Sequence, residues 1–162
     1  MPDEIDFFRT QYLATFVCSN FRKIMINPDI TPEAINKIGQ NTMVSHLGIE
    51  ITEVGKDYIS GKMPVNQTTI QPFGILHGGA SVVLAETLGS YGSNFCIDTN
   101  KQFCVGLEIN ANHVKSAKGG EVYGKAQLVH MGRKTHIWDI RIKNNKEELV
   151  CISTLTIAVL DK

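Results

Sequence analysis

The longest apolar run of the chain, ASVVLAETL from Ala80 to Leu88, carries a carboxylate, Glu86, inside it. The run follows turn chemistry at Pro72 and Gly74 and the triplet His77-Gly78-Gly79. Ala80, Val83, Leu84, Thr87, Leu88 and Tyr91 recur at i, i+3 and i+4, which predicts a buried helix starting at the two glycines. Acidic side chains are almost never fully buried without a partner, so Glu86 is either functional or part of a solvated stripe. Its neighbours one turn away, Val82, Val83, Gly89 and Ser90, offer no charged face for it to join.

On both sides of this helix the period changes to that of strands. Ile49–Val54 and Tyr58–Val65, with Gly55-Lys56-Asp57 between them, predict a hairpin. After the helix, Phe103–Val114, Val122–Met131, Thr135–Lys143 and Leu149–Leu160 are separated by Lys118-Gly119-Gly120, Gly132-Arg133 and Asn144-Asn145-Lys146, which predicts a four-strand antiparallel meander. Strands before and after one long helix, with too few helices for a βαβ repeat, make the fold class α+β, one helix against one face of a sheet of five to six strands. Upstream, Thr31-Pro32-Glu33 reads as an N-cap and first turn of a short helix that runs through Ile38 and ends at Gly39. Phe7, Phe8, Tyr12, Phe16, Val17, Phe21, Ile24 and Met25 fall at helical spacing, so residues 1–30 are expected to be an amphipathic extension and residues 31–162 one domain. Its mixed polar face suits packing on the domain or on a neighbour better than a membrane surface.

Charge and cysteine usage narrow the functional classes. Sixteen basic residues balance sixteen acidic ones, so no broad positive field serves nucleic-acid binding. The four cysteines show no CxxC pairing and no 18-residue apolar span occurs, which fits free thiols in a cytoplasmic protein without a membrane anchor. The five histidines show neither HxxxH nor HExxH spacing, so no metal is expected.

QPFGILHGGASVVLAETLGS, followed by GLEINANHVKSA, resembles the hotdog-fold acyl-CoA thioesterases over roughly Pro32 to Leu160. The likeness is to the branch acting on aromatic acyl-CoA thioesters, which includes 4-hydroxybenzoyl-CoA and 1,4-dihydroxy-2-naphthoyl-CoA thioesterases, the latter in menaquinone synthesis. It implies a long central helix on an antiparallel sheet, homodimers joined edge to edge and often paired again into homotetramers. The acyl-CoA is the substrate, and no cofactor is implied beyond the coenzyme A it carries. The terminal segment Leu149–Leu160, apolar on both alternating faces, calls for such cover on its second face.

Thioester hydrolysis needs a nucleophile at the carbonyl carbon and stabilisation of the oxygen as it becomes tetrahedral. A helix N-terminus leaves backbone N–H groups unpartnered, and glycine lets a substrate oxygen approach, so Gly78 is the oxyanion candidate, as the resemblance also implies. His77 either supplements it or caps the helix. By resemblance Glu86 is nucleophile or general base in the neighbouring subunit's site. Ser90, four residues on, is placed to hydrogen-bond Glu86 or water. Gln71 matches a family Gln that contacts the thioester or positions water, or is an ordinary loop amide. His113 matches a His near the acyl pocket, or is a strand histidine satisfied by its neighbours. Phe73 and Ile75 are candidate acyl-pocket residues. Arg133, Lys134 and Thr135, in a turn similar to the family's HLGxxxxxW pattern that ends here at Trp138, are candidates for the coenzyme A phosphates. Two rivals remain at this level: a hotdog hydratase or dehydratase, which needs a carboxylate opposed by a His, and a non-catalytic acyl-CoA-binding regulator. Against a DNA-reading N-terminus, residues 1–40 hold four basic and five acidic residues.

Overall fold

Thr31 opens the first ordered helix as its sequence predicts: its hydroxyl accepts from the Ala34 N–H at 3.3 Å, and Pro32 occupies the first turn. The computed structural model describes residues 26–162. The expected helix over residues 1–25 lies outside them. The described chain begins inside the core, where Ile26 is buried and its N–H donates to Lys56 O, while Asn27 N–H donates to Phe95 O.

In chain order the elements are α1 (Pro32–Ile38), α2 (Met43–His46), β1 (Glu50–Val54), β2 (Tyr58–Pro64), α3 (Gly78–Asn94), β3 (Gln102–His113), β4 (Glu121–Met131), β5 (Thr135–Asn144) and β6 (Leu149–Asp161). The one-turn helix α2, capped by the Thr42 hydroxyl, leads into β1. All six strands form one antiparallel sheet in the order β1-β2-β4-β5-β6-β3. The N-terminal hairpin is present as expected.

The expected four-strand meander is corrected to three strands, β4-β5-β6. Strand β3 pairs with β6 instead, from Gln102↔Asp161 to His113↔Cys151, and forms an edge. The chain must then cross β6 and β5 to reach β4, about 14 Å at ordinary strand spacing. Residues 114–120 make that crossing, held by hydrogen bonds from Leu76 N–H to Ala117 O and from Val65 N–H to Gly120 O. This topology lays the crossing segment against the start of α3.

The α3 helix buries one face only. Ala80, Ser81, Leu84, Ala85, Leu88, Gly89, Gly92 and Ser93 face the sheet. Val82, Val83, Glu86, Thr87, Ser90 and Tyr91 stay partly exposed, so the fully buried helix expected from the sequence becomes a half-covered one. Gly89 and Gly92 explain how closely it sits: a Cβ would lie 2.5 Å from Leu155 Cδ2 at the first and 2.5 Å from the Trp138 ring at the second. Trp138 is fully buried beneath them, and its Nε1–H donates to Ser93 Oγ at 2.8 Å. It is thus a seat for the helix. On β6, Cys151, Ser153, Leu155, Ile157 and Val159 face the core, whereas Ile152, Thr154, Thr156 and Ala158 on the other face are half exposed.

Candidate active site

His77 terminates the loop that leads into α3 and caps the helix. Its backbone is extended (φ −71°, ψ 133°), and its Nδ1 accepts from Gly79 N–H at 2.8 Å. Its carbonyl accepts from Ala80 N–H at 3.0 Å and from Ser81 N–H at 3.3 Å. Of the N–H groups in this first turn, only that of Gly78 has no partner among the described residues. The loop is fixed independently: Thr69 Oγ1 donates to Pro64 O at 2.7 Å, and His77 N–H donates to Thr69 O.

The unpartnered Gly78 N–H borders a cleft of about 280 Å³ whose walls include Gln71, Ile75, Ser81, His113, Lys115 and Val150. A Cβ on Gly78 would lie 2.8 Å from His113 Nε2, so a side chain here displaces the histidine. The Gln71 side chain makes no hydrogen bond to the described protein, and its backbone closes the turn through Gly74 N–H to Gln71 O at 2.8 Å. Ile75 lines the cleft; Phe73, at the tip of the turn, is 84% exposed and does not. Among the described residues, none that lines the cleft is acidic.

Glu86 lies elsewhere. Eight residues separate it from Gly78, about 12 Å of helix rise. It borders a shallow recess of about 230 Å³ with Val44, Thr87, Ser90 and Tyr91. Its Oε1 sits 2.6 Å from where a Cβ on Gly106 would be, so the glycine in β3 makes room for the carboxylate. Neither Glu86 nor the Ser90 hydroxyl hydrogen-bonds to another described residue; the two share the recess without bonding each other. Glu86 thus faces β3, the edge strand, whose Phe103, Val105 and Leu107 are exposed, with Leu107 bulged out at 67%.

Arg133, Lys134 and Thr135 form the β4–β5 turn, where Lys134 Nζ pairs with Asp161 Oδ2 at 2.6 Å and Gly132 N–H donates to Thr135 O. The structure does not bring them to the cleft of the same chain. Val159 lies beside Lys134 while Val150 lies at the cleft, and nine residues of strand between them span about 30 Å. The sequence reading passed over Gly106, Ser81 and Lys115. The last borders the cleft and pairs with Glu148 Oε1 at 2.6 Å. None belongs to a motif legible by spacing, since Gly106 acts through space and Ser81 reads as one more helix residue.

A thioesterase superfamily model matches residues 73–151. The 1,4-dihydroxy-2-naphthoyl-CoA hydrolase of Escherichia coli is 48% identical over 131 residues, 81% of this chain and 96% of that one. This chain belongs to the thioesterase superfamily. Its hotdog architecture superposes on a mutant thioesterase from Pseudomonas aeruginosa with TM-score 0.83 and 42% identity, covering 86% of this chain and 99% of that one. Two mutants of a Staphylococcus aureus thioesterase, at TM-scores 0.73 and 0.71 and identities of 43% and 44%, cover 74% and 72% of this chain and 99% and 97% of those. They carry alanine for a Glu and for a Gln fifteen residues apart, the separation of Gln71 and Glu86. The chain is accordingly a thioester hydrolase, and no helix among its described residues is long and apolar enough to cross a membrane.

Proposed function

We propose that this thioesterase hydrolyses an aromatic acyl-CoA, with 1,4-dihydroxy-2-naphthoyl-CoA or a hydroxybenzoyl-CoA as the substrate type, at a site that two copies of the chain complete. The observation that carries the reading is the division of the machinery. Among the described residues the cleft has a free N–H and no carboxylate, and the carboxylate lies in a separate recess, about 12 Å along the same helix from that N–H. Two copies joined antiparallel through their β3 edges bring each Glu86 toward the other's Gly78 turn and give two equivalent sites. The exposed apolar side chains of β3 and the half-covered face of α3 support that contact.

In this reading the thioester carbonyl oxygen accepts from Gly78 N–H, which stabilises charge as the carbon becomes tetrahedral. Glu86 of the second copy either attacks that carbon or takes a proton from the attacking water. Ser90 and Gln71 orient the water, and His113 packs the acyl end against Ile75. Collapse breaks the C–S bond and the electron pair leaves with the coenzyme A sulfur, which takes up a proton; where Glu86 attacked, water then cleaves the acyl–Glu86 anhydride, and where Glu86 acted as base the acid forms directly, in either case without metal or organic cofactor. Arg133, Lys134 and Thr135 serve the coenzyme A phosphates of the neighbouring site. They lie at the Gln102 end of the sheet, where Gln102 Nε2–H donates to Asp161 Oδ1, and antiparallel β3 pairing sets that end beside the partner's His113 end. The menaquinone route and the cytoplasm fit the substrate type. His77 is committed to capping, and the free Gly78 N–H at the helix entrance suits an oxyanion, which favours hydrolysis over the hydratase reading.

A panel of benzoyl-, hydroxybenzoyl-, dihydroxynaphthoyl-, phenylacetyl- and straight-chain acyl-CoAs, followed by thiol release with and without EDTA, tests the proposal. Turnover of hydroxylated aromatic thioesters that survives chelation is expected. Preference for straight chains, or loss of turnover reversed by zinc, overturns it.

A further inference from the structure

Five polar side chains are buried in the described chain: Thr69, Ser81, Ser93, His136 and Ser153. Three of the four hydroxyls among them are hydrogen-bonded. Thr69 Oγ1 donates to Pro64 O at 2.7 Å, Ser153 Oγ donates to Asn110 O at 2.6 Å, and Ser93 Oγ accepts from Trp138 Nε1–H at 2.8 Å. Ser81, only 1% exposed, makes no side-chain hydrogen bond to the described residues. A helical serine usually satisfies its hydroxyl by bonding back to the carbonyl four residues earlier. Here that carbonyl, His77 O, already accepts from Ala80 N–H and Ser81 N–H. Among the described residues the fully buried polar side-chain atom without a partner is His136 Nδ1; Ser81 Oγ keeps a little exposure to the cleft it lines, so its hydroxyl is free to bond a group that arrives there.

Its position says which group. Ser81 lines the same cleft as Gly78 and lies three residues further into the helix, about 4.5 Å of rise, roughly the depth of one aromatic ring. Around it Leu76, Ala117 and Val150 are buried and aliphatic, whereas Lys115 and Ser116 are exposed at the mouth. The pantetheine arm must leave by the mouth, so the closed end beside Ser81 takes the acyl group. We infer that the Ser81 hydroxyl hydrogen-bonds a polar substituent on the acyl ring, a hydroxyl above all, and sets the preference for hydroxylated over plain aromatic acyl-CoA. This rests on the thioesterase reading of the site and assigns to it a specificity residue. A site built to hydrogen-bond a substrate hydroxyl discriminates against the analogue that lacks it, because the protein group is then left buried and unpaired.

The test compares kcat/KM for benzoyl-CoA and for 2-, 3- and 4-hydroxybenzoyl-CoA in the wild type, Ser81→Ala and Ser81→Cys, the last preserving shape if alanine loosens the helix. The wild type should favour at least one hydroxylated isomer tenfold or more over benzoyl-CoA. Ser81→Ala should erase most of that ratio by slowing the favoured isomer while benzoyl-CoA turns over within about twofold of wild type. Ser81→Cys should fall between. An unchanged ratio in both variants, or an equal loss on all four substrates, overturns the inference and leaves the thioesterase intact. Failure of the wild type to hydrolyse any of the four overturns the inference, and failure on 1,4-dihydroxy-2-naphthoyl-CoA as well overturns both.

Discussion

The two ends of one helix make a contrast in what a site needs. At the N-terminal turn of α3 the backbone is prepared: His77 takes up the neighbouring N–H groups, Gly78 is left unpartnered, and Gln71 and His113 stand around it. Two turns on, Glu86 and Ser90 have polar groups without partners among the described residues and share a shallow recess. In the proposed mechanism the first region would stabilise charge and the second would supply the nucleophile or base. A helix cannot bend back on itself over eight residues, so cooperation between these groups requires the exposed edge strand β3 to bring in a second helix.

The largest effect expected from separating these roles is at Glu86. Glu86→Gln should lower kcat a hundredfold or more, about 2.7 kcal/mol of barrier, with KM little changed, measured by thiol release at saturating substrate. Full activity in this variant would reduce the carboxylate to a structural oddity. Mixed dimers sharpen the contrast: Glu86→Ala chains combined with Gly78→Ala chains should regain one working site per dimer, although each parent is inactive. No recovery would mean that both ends act within one chain.

The edge itself comes next. Leu107→Lys places a charge on the bulged, 67% exposed residue of β3. Light scattering should shift from a multiple of 17.9 kDa toward that mass, with activity falling more than tenfold at low protein concentration. An active monomer would break the two-copy site. Gly106→Ala should act more gently, pushing the Glu86 carboxylate off its place and lowering kcat about tenfold with little change in melting temperature, since only a flexible side-chain end must move. The smallest effect belongs to His77→Ala. Loss of a helix cap costs about 1 kcal/mol, so Tm should drop by a few degrees, with a several-fold loss of kcat as the Gly78 turn frays.

Much of this was legible from residue spacing, and the reasons for the exceptions are physical. Thr31-Pro32-Glu33, the β1–β2 hairpin and the start of α3 were readable because capping and turn chemistry are local. The place of β3 was not, because alternation identifies a strand without naming its partner, and the connection after His113 looks like any Gly-ended turn until it is seen to cross the sheet. Glu86 stood out by its contrast with apolar neighbours. Gly106 and Ser81 carried no such contrast, since one matters for the side chain it lacks and the other for a bond it does not make. The Arg133-Lys134-Thr135 turn was visible as a basic surface feature, but its distance from the cleft depends on strand length and pairing together.

The glycines over Trp138 bear on how this helix responds to a ligand. Gly89 and Gly92 let the C-terminal half of α3 sink onto the indole, where the bond from Nε1–H to Ser93 removes any freedom to slide or rotate. The N-terminal turn is held by its cap and by the loop that enters it, with no aromatic seat beneath Gly78 and Gly79. Opening motions should therefore be graded along a single helix, with amide exchange slow at residues 88–93 and approaching the free-loop rate at 78–79. Substrate would then protect one end of α3 while leaving exchange at the other end as it was.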